Sequence, residues 1–140
     1  MLEASDQPRR LTVLVYASNE QTTDRVIRAL GEHPSPEVTI DVVPIANAEA
    51  AVARLDAGGI DLAILDGEAA PSGGMGLARQ IKDEIDSPPP VVLLVGRRDD
   101  AWLASWSRAE AVVPHPVDAM TLAAAVNSLI EGLPDLAPAH

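Results

Sequence analysis

The residue best placed for chemistry in this chain is Asp66. It closes the stretch Ile60-Asp61-Leu62-Ala63-Ile64-Leu65-Asp66, whose apolar run 62–65 lies between turn residues, Gly58-Gly59 before and Gly67 after. A short apolar run so bounded reads as a strand buried on both faces, hence a central strand of a parallel sheet. The carboxyl ends of such strands form the ligand crevice of open α/β sheets, and Asp66 falls there. His115, between Pro114 and Pro116, is a second candidate. It reads either as a pH-sensitive group facing Asp66 or as a polar residue at a strand end. The three histidines, His33, His115 and His140, have no metal-ligand spacing. Pro71-Ser72-Gly73-Gly74-Met75-Gly76 has glycines enough to cradle a phosphate but neither a G-x-G-x-x-G nor a Walker pattern, and reads as a tight loop. Trp102 and Trp106, the only tryptophans, share one helix face at i, i+4. They serve either as core packing or as an exposed anchor for a partner.

These groups need elements to position them. Residues 11–17 read as a first strand, and Thr23 or Asp24 can cap a helix to about residue 30. Val38, Ile40 and Val42 alternate with polar neighbours, the pattern of an edge strand. Asn47 caps a second helix to about residue 57, with Ala48, Ala51, Val52 and Leu55 as its apolar stripe. A third helix over 75–85 precedes Pro88-Pro89-Pro90 and a second wholly apolar strand, 91–95. Asp99 or Asp100 opens a fourth helix to about residue 108, residues 111–113 form a fifth strand, and Asp118 caps a last helix to about residue 130. Five βα units in alternation predict an α/β, doubly wound, five-stranded parallel sheet of flavodoxin-like order 2-1-3-4-5. Residues 1–10 read as a flexible leader, 11–130 as one domain and 131–140 as a tail.

Composition narrows the function. The formal charge of −11 opposes nucleic acid and anionic membrane surfaces as partners. There is no cysteine for a disulfide or thiolate metal site. No apolar run approaches a membrane span and no signal-peptide pattern opens the chain, so a cytoplasmic protein is expected, with no direct membrane insertion.

Over about residues 11–130 the chain resembles the bacterial response-regulator receiver domains, CheY-like in fold. The resemblance rests on Leu-Ala-Ile-Leu-Asp66, on Pro71 with Gly-Gly-Met-Gly-Leu, on Pro-Val-Val-Leu-Leu-Val, and on Val-Val-Pro-His-Pro-Val-Asp. In that family the Asp ending strand three accepts a phosphoryl group from a histidine kinase, and an acidic pair ending strand one holds Mg²⁺. A Ser or Thr ending strand four and a Lys ending strand five contact the phosphoryl oxygens, the Lys preceding a proline through a cis peptide.

Carried over, Asp66 matches the phosphoacceptor and Pro116 the proline, which implies a cis His115–Pro116 bond. The acidic pair falls on Ser18 and Asn19, or on Tyr16 and Ala17 in the alternative register. The Ser/Thr position is Val95, the Lys position His115, and the switch aromatic Val112. Carboxylates for Mg²⁺ reduce to Asp66, Glu68 and Glu20. Phosphoryl transfer needs dense positive charge on the transferring oxygens, and neither a valine nor a short, partly charged imidazole supplies it.

The resemblance therefore implies a pseudo-receiver: a non-enzymatic interaction module with no cofactor. Its implied partner is a protein, docking on the face of the fourth helix, fifth strand and last helix, where Trp102 and Trp106 fall. Likeness to orphan receivers of high-GC actinobacteria further implies an accessory place at the respiratory NADH–quinone oxidoreductase, peripheral to a membrane complex. The alternative is a working single-domain response regulator phosphorylated on Asp66 with Mg²⁺ in a phosphorelay. A second alternative is a small phosphatase, since Asp66-Gly67-Glu68 is similar to the Asp-x-Asp loop of haloacid-dehalogenase-type enzymes.

Overall fold

The apolar run 62–65 forms the middle of a five-stranded parallel sheet ordered β2-β1-β3-β4-β5. The computed structural model describes residues 9–31, 38–67, 74–96 and 108–131. In chain order these are β1 (Arg9–Tyr16), α1 (Glu20–Gly31), β2 (Val38–Ile45), α2 (Ala48–Asp56), β3 (Leu62–Asp66), α3 (Gly74–Glu84), β4 (Val91–Val95), β5 (Ala111–Pro114) and α4 (Ala119–Glu131). The expected fourth helix, with Trp102 and Trp106, lies outside the described residues, as does Glu68.

Strand alternation sends side chains to two cores. Leu11, Val13, Val15, Leu62, Ile64, Val92 and Leu94 pack with residues of α1 and α4 on one face of the sheet. Leu14, Tyr16, Ala63, Leu65, Leu93 and Val95 pack with residues of α2 and α3 on the other. Every residue of β3 and β4 is buried, which is why both read as unbroken apolar runs and not as alternating ones. Edge strand β2 does alternate in sequence and carries Pro44, which pairs with Val15.

Two boundaries differ from those expected. β1 begins at Arg9, because Arg9 and Arg10 pair with Val38 and Thr39 on the edge strand, so the expected leader reaches into the sheet. α1 begins at Glu20 and its cap is Asn19, not Thr23 or Asp24: Asn19 Oδ1 accepts the Gln21 N–H at 2.7 Å. The other caps are as read. Asn47 Oδ1 accepts from Ala50 N–H at 3.0 Å. Asp118 Oδ2 accepts from the Thr121 N–H and hydroxyl, each at 2.9 Å, and these bonds hold its carboxyl below the usual range.

Side chains pin the edge of the sheet opposite the crevice. Asp61 Oδ2 accepts the Thr12 N–H at 2.9 Å. Glu110 Oε1 accepts the Val91 N–H at 2.7 Å, while its Oε2 meets Lys82 Nζ at 2.8 Å. Arg108, with φ of 65°, sits in the left-handed region and pairs with Asp83 at 2.8 Å. This stitching fixes where β4 and β5 start, and so where they end.

Glu110→Ala removes the acceptor of a half-buried backbone N–H together with an ion pair, and we expect a loss of about 1–3 kcal/mol of stability. Arg10→Ala, which opens the surface pair with Asp41 at 3.6 Å, should cost less than about 1 kcal/mol. Urea unfolding of the two variants side by side checks the difference.

Candidate functional site

The crevice is built by strands that end together. Asp66 is the last residue of β3 and pairs with Leu94, while Val95 pairs with Pro114. Gly67 N–H donates to Leu94 O at 2.7 Å and His115 N–H to Val95 O at 2.8 Å, carrying both ladders one residue past the strands. The two extensions set Asp66 and His115 face to face across the end of β4.

Asp66 is the one buried charged residue among those described, 3% exposed. Its Oδ1 lies 2.8 Å from His115 Nε2. A carboxylate only accepts, so the ring N–H donates. The His115–Pro116 peptide is cis, as expected. His115 thus faces Asp66 from the end of β5. That partner is 49 residues distant in sequence.

The remaining sequence-predicted positions disperse. Tyr16 and Ala17 are buried, whereas Ser18, Asn19 and Glu20 are exposed. Asn19 Oδ1 is taken up as the cap of α1. Glu20 lines a separate hollow, with Asp24, Ile27 and the end of β2. Val95 is 2% exposed, closes β4 with an apolar side chain and offers only its carbonyl oxygen. Val112 packs beneath the same face as Tyr16 and Val95. Among the described residues no group of three His, Cys, Asp or Glu side chains could hold a metal ion.

Of the crevice residues, Tyr16 entered the sequence reasoning only as the alternative register of the acidic pair, and Arg25 did not enter it. Tyr16, the chain's only tyrosine, is 1% exposed. Burial, and next the charge of Asp66, push its phenol above the usual value. Arg25 on α1 lines an open hollow of about 390 Å³ with Gln21, Thr22, Gly96, His115 and Pro116. The helix register 21, 22, 25 carries the signal for a shared face, but nothing in the sequence ties that face to residue 115.

We expect the phenolate absorbance of Tyr16 to appear above the free phenol's 10.0. Asp66→Asn should lower that midpoint part of the way, because burial is the larger cause. With the folded value raised, this tyrosine's contribution to stability is fully present below about pH 10 and is lost as pH rises through the native value. An unchanged midpoint in Asp66→Asn would show that phenol and carboxylate are not neighbours.

Comparison with known proteins adds the following. No family model matches the chain. Two curated relatives, from the CDC 1551 and H37Rv strains of Mycobacterium tuberculosis, are described as response regulatory proteins. Each is 53% identical over 136 residues, covering 96% of this chain and 98% of the relative. Among solved structures, the signal receiver domain of a Luxo repressor protein from Vibrio parahaemolyticus superposes with a TM-score of 0.75 at 21% identity, covering 94% of this chain and 99% of that one. The receiver domain of Ssk1 from Saccharomyces cerevisiae, crystallised with the histidine phosphotransfer protein Ypd1, gives 0.74 at 20% identity, over 92% and 95%.

Proposed function

The chain belongs to the response-regulator receiver family, and from that premise we propose that it is a degenerate receiver, a non-enzymatic module that works by binding a protein partner. The observation that carries this reading is the 2.8 Å bond from His115 to Asp66. One oxygen of the carboxylate that would accept a phosphoryl group is engaged by an imidazole, on a side chain shorter than the Lys of the family.

The rest of the donor set supports the same reading. Mg²⁺ takes near-octahedral oxygen ligands, one or two of them carboxylates. Here the end of β1 offers two buried residues without carboxylates, then Ser18 and a capping Asn19. These residues do not fit the ion. Val95 and Val112 stand where a hydroxyl and an aromatic would register a phosphoryl group, so even a phosphorylated Asp66 would lack its readout. A working response regulator phosphorylated on Asp66 is the second reading, favoured by the position of that carboxylate at the crevice end of the central strand.

Partner chemistry follows from charge and exposure. A protein of net charge −11 suits a basic or apolar counter-surface. Met120, 81% exposed in the first turn of α4, offers an apolar contact on the face expected to dock. The mycobacterial relatives, matched over 98% of their length, consist of little besides this domain, which supports a stand-alone role. A place beside the respiratory NADH–quinone oxidoreductase rests on sequence resemblance alone. Affinity purification of the tagged protein with mass spectrometry tests it, and absence of that complex's subunits sinks it. No described helix is long and apolar enough to cross a membrane.

Titration with beryllofluoride and Mg²⁺ checks the central claim. We expect no saturable complex, and no added phosphate mass from acetyl phosphate. Saturable Mg²⁺-dependent binding that disappears in Asp66→Asn would establish the second reading instead.

A further inference from the structure

The hollow beside His115 is chemically unlike the rest of this acidic surface. Among the described residues it is lined by Gln21, Thr22, Arg25, Gly96, His115 and Pro116, none of them acidic. Helix α1 separates its charges: Glu20 and Asp24 line the other hollow, with Ile27, and Arg25 lines this one. Arg25 has no ion-pair partner among the described residues, although the chain holds 21 acids against 10 bases. The guanidinium, the Gln21 amide and the Thr22 hydroxyl are hydrogen-bond donors. His115 closes the inner wall, its Nε2 already committed to Asp66, so the ring bridges the buried carboxylate and the hollow. At about 390 Å³ the space lies within the range of small-ligand sites.

We propose that this hollow is a non-covalent oxyanion site for a phosphate group, either free phosphate or the monoester of a small metabolite. The planar guanidinium matches phosphate geometry through paired N–H donors, and the amide and hydroxyl of α1 complete the cradle. The proposal deepens the degenerate-receiver reading and rests on it: the crevice reads a phosphate held beside Asp66 instead of one transferred onto it. Occupancy also gives His115 an anion on each side. Asp66 binds it from within and the ligand from without, so binding is communicated directly to the ends of β3 and β5.

The test is calorimetry and amide-resolved NMR on the whole chain, with inorganic phosphate and phenyl phosphate as probes and chloride at matched ionic strength as control. We expect saturation in the millimolar range or below, with shifts at Gln21, Thr22 and Gly96 that chloride does not reproduce. Arg25→Gln, an exposed substitution that leaves the core untouched, should weaken binding about tenfold or more, consistent with loss of a charged hydrogen bond. Asp66→Asn should retain binding. Tighter binding of phenyl phosphate assigns the site to an ester, and equal binding assigns it to the free ion. No saturation, or full affinity in Arg25→Gln, overturns the proposal. An Asp66-dependent beryllofluoride complex overturns the degenerate-receiver reading instead, so the two failures are distinguishable.

Discussion

A carboxylate that is 3% exposed must be compensated, because an unpaired buried charge is far more costly than the bond that would satisfy it. The crevice of this protein is arranged around that requirement. Asp66 sits where central strands of an open sheet deliver their last side chain, and the described residues around it supply neither a carboxylate pair to bring in a cation nor a long ammonium. The compensation comes from an imidazole that has to stand at contact distance. For His115 to do so, β5 must end level with β3. The ladder bonds from Gly67 and His115 and the Glu110–Lys82 stitching at the far edge set that level.

Such a pair is a poor source of net stability and a good source of definition. Desolvation of the buried carboxylate offsets much of its attraction to the half-buried imidazole, yet removing the imidazole takes away a charge-compensating partner. Asp66 and His115 thus lock the ends of two strands in one arrangement. In a receiver that responds to phosphorylation, the same region must hold two arrangements of comparable free energy. Val95 and Val112 offer neither a hydroxyl nor an aromatic ring there, and Tyr16 fills the far face with a phenol that burial, and next the Asp66 charge, holds in its neutral form.

How much of this was legible in the sequence follows from how far each feature reaches along the chain. β3 and β4 were read residue for residue or nearly so, since burial on both faces leaves an apolar run and little else. Asn47 and Asp118 were read as caps because a cap acts within three residues. Asn19 was missed in that role because its neighbourhood, Ser18-Asn19-Glu20, was read for lost metal ligands and as loop, and a residue type that can do either gives no sign which. β1 was read as starting too late because only its pairing with Val38 and Thr39 makes Arg9 and Arg10 a strand. The contacts of Asp66 with His115, and of Arg25 with the same hollow, span dozens of residues. Periodicity states which face a side chain takes, not which distant side chain meets it there.

Charge is unevenly distributed around the crevice. A surplus of acid keeps a small domain soluble and says little about a site. Its local reversal is more informative. Along one turn of α1 the acids point to the groove beside β2 and the arginine to the groove beside β5, so the positive groove lies against the buried carboxylate's own partner. A fold that places a crevice at its strand ends keeps that crevice whatever occupies it. Among the described residues a guanidinium and an imidazole line the hollow beside the buried carboxylate, and no acidic side chain does, so the local charge there runs against the surplus of the chain as a whole.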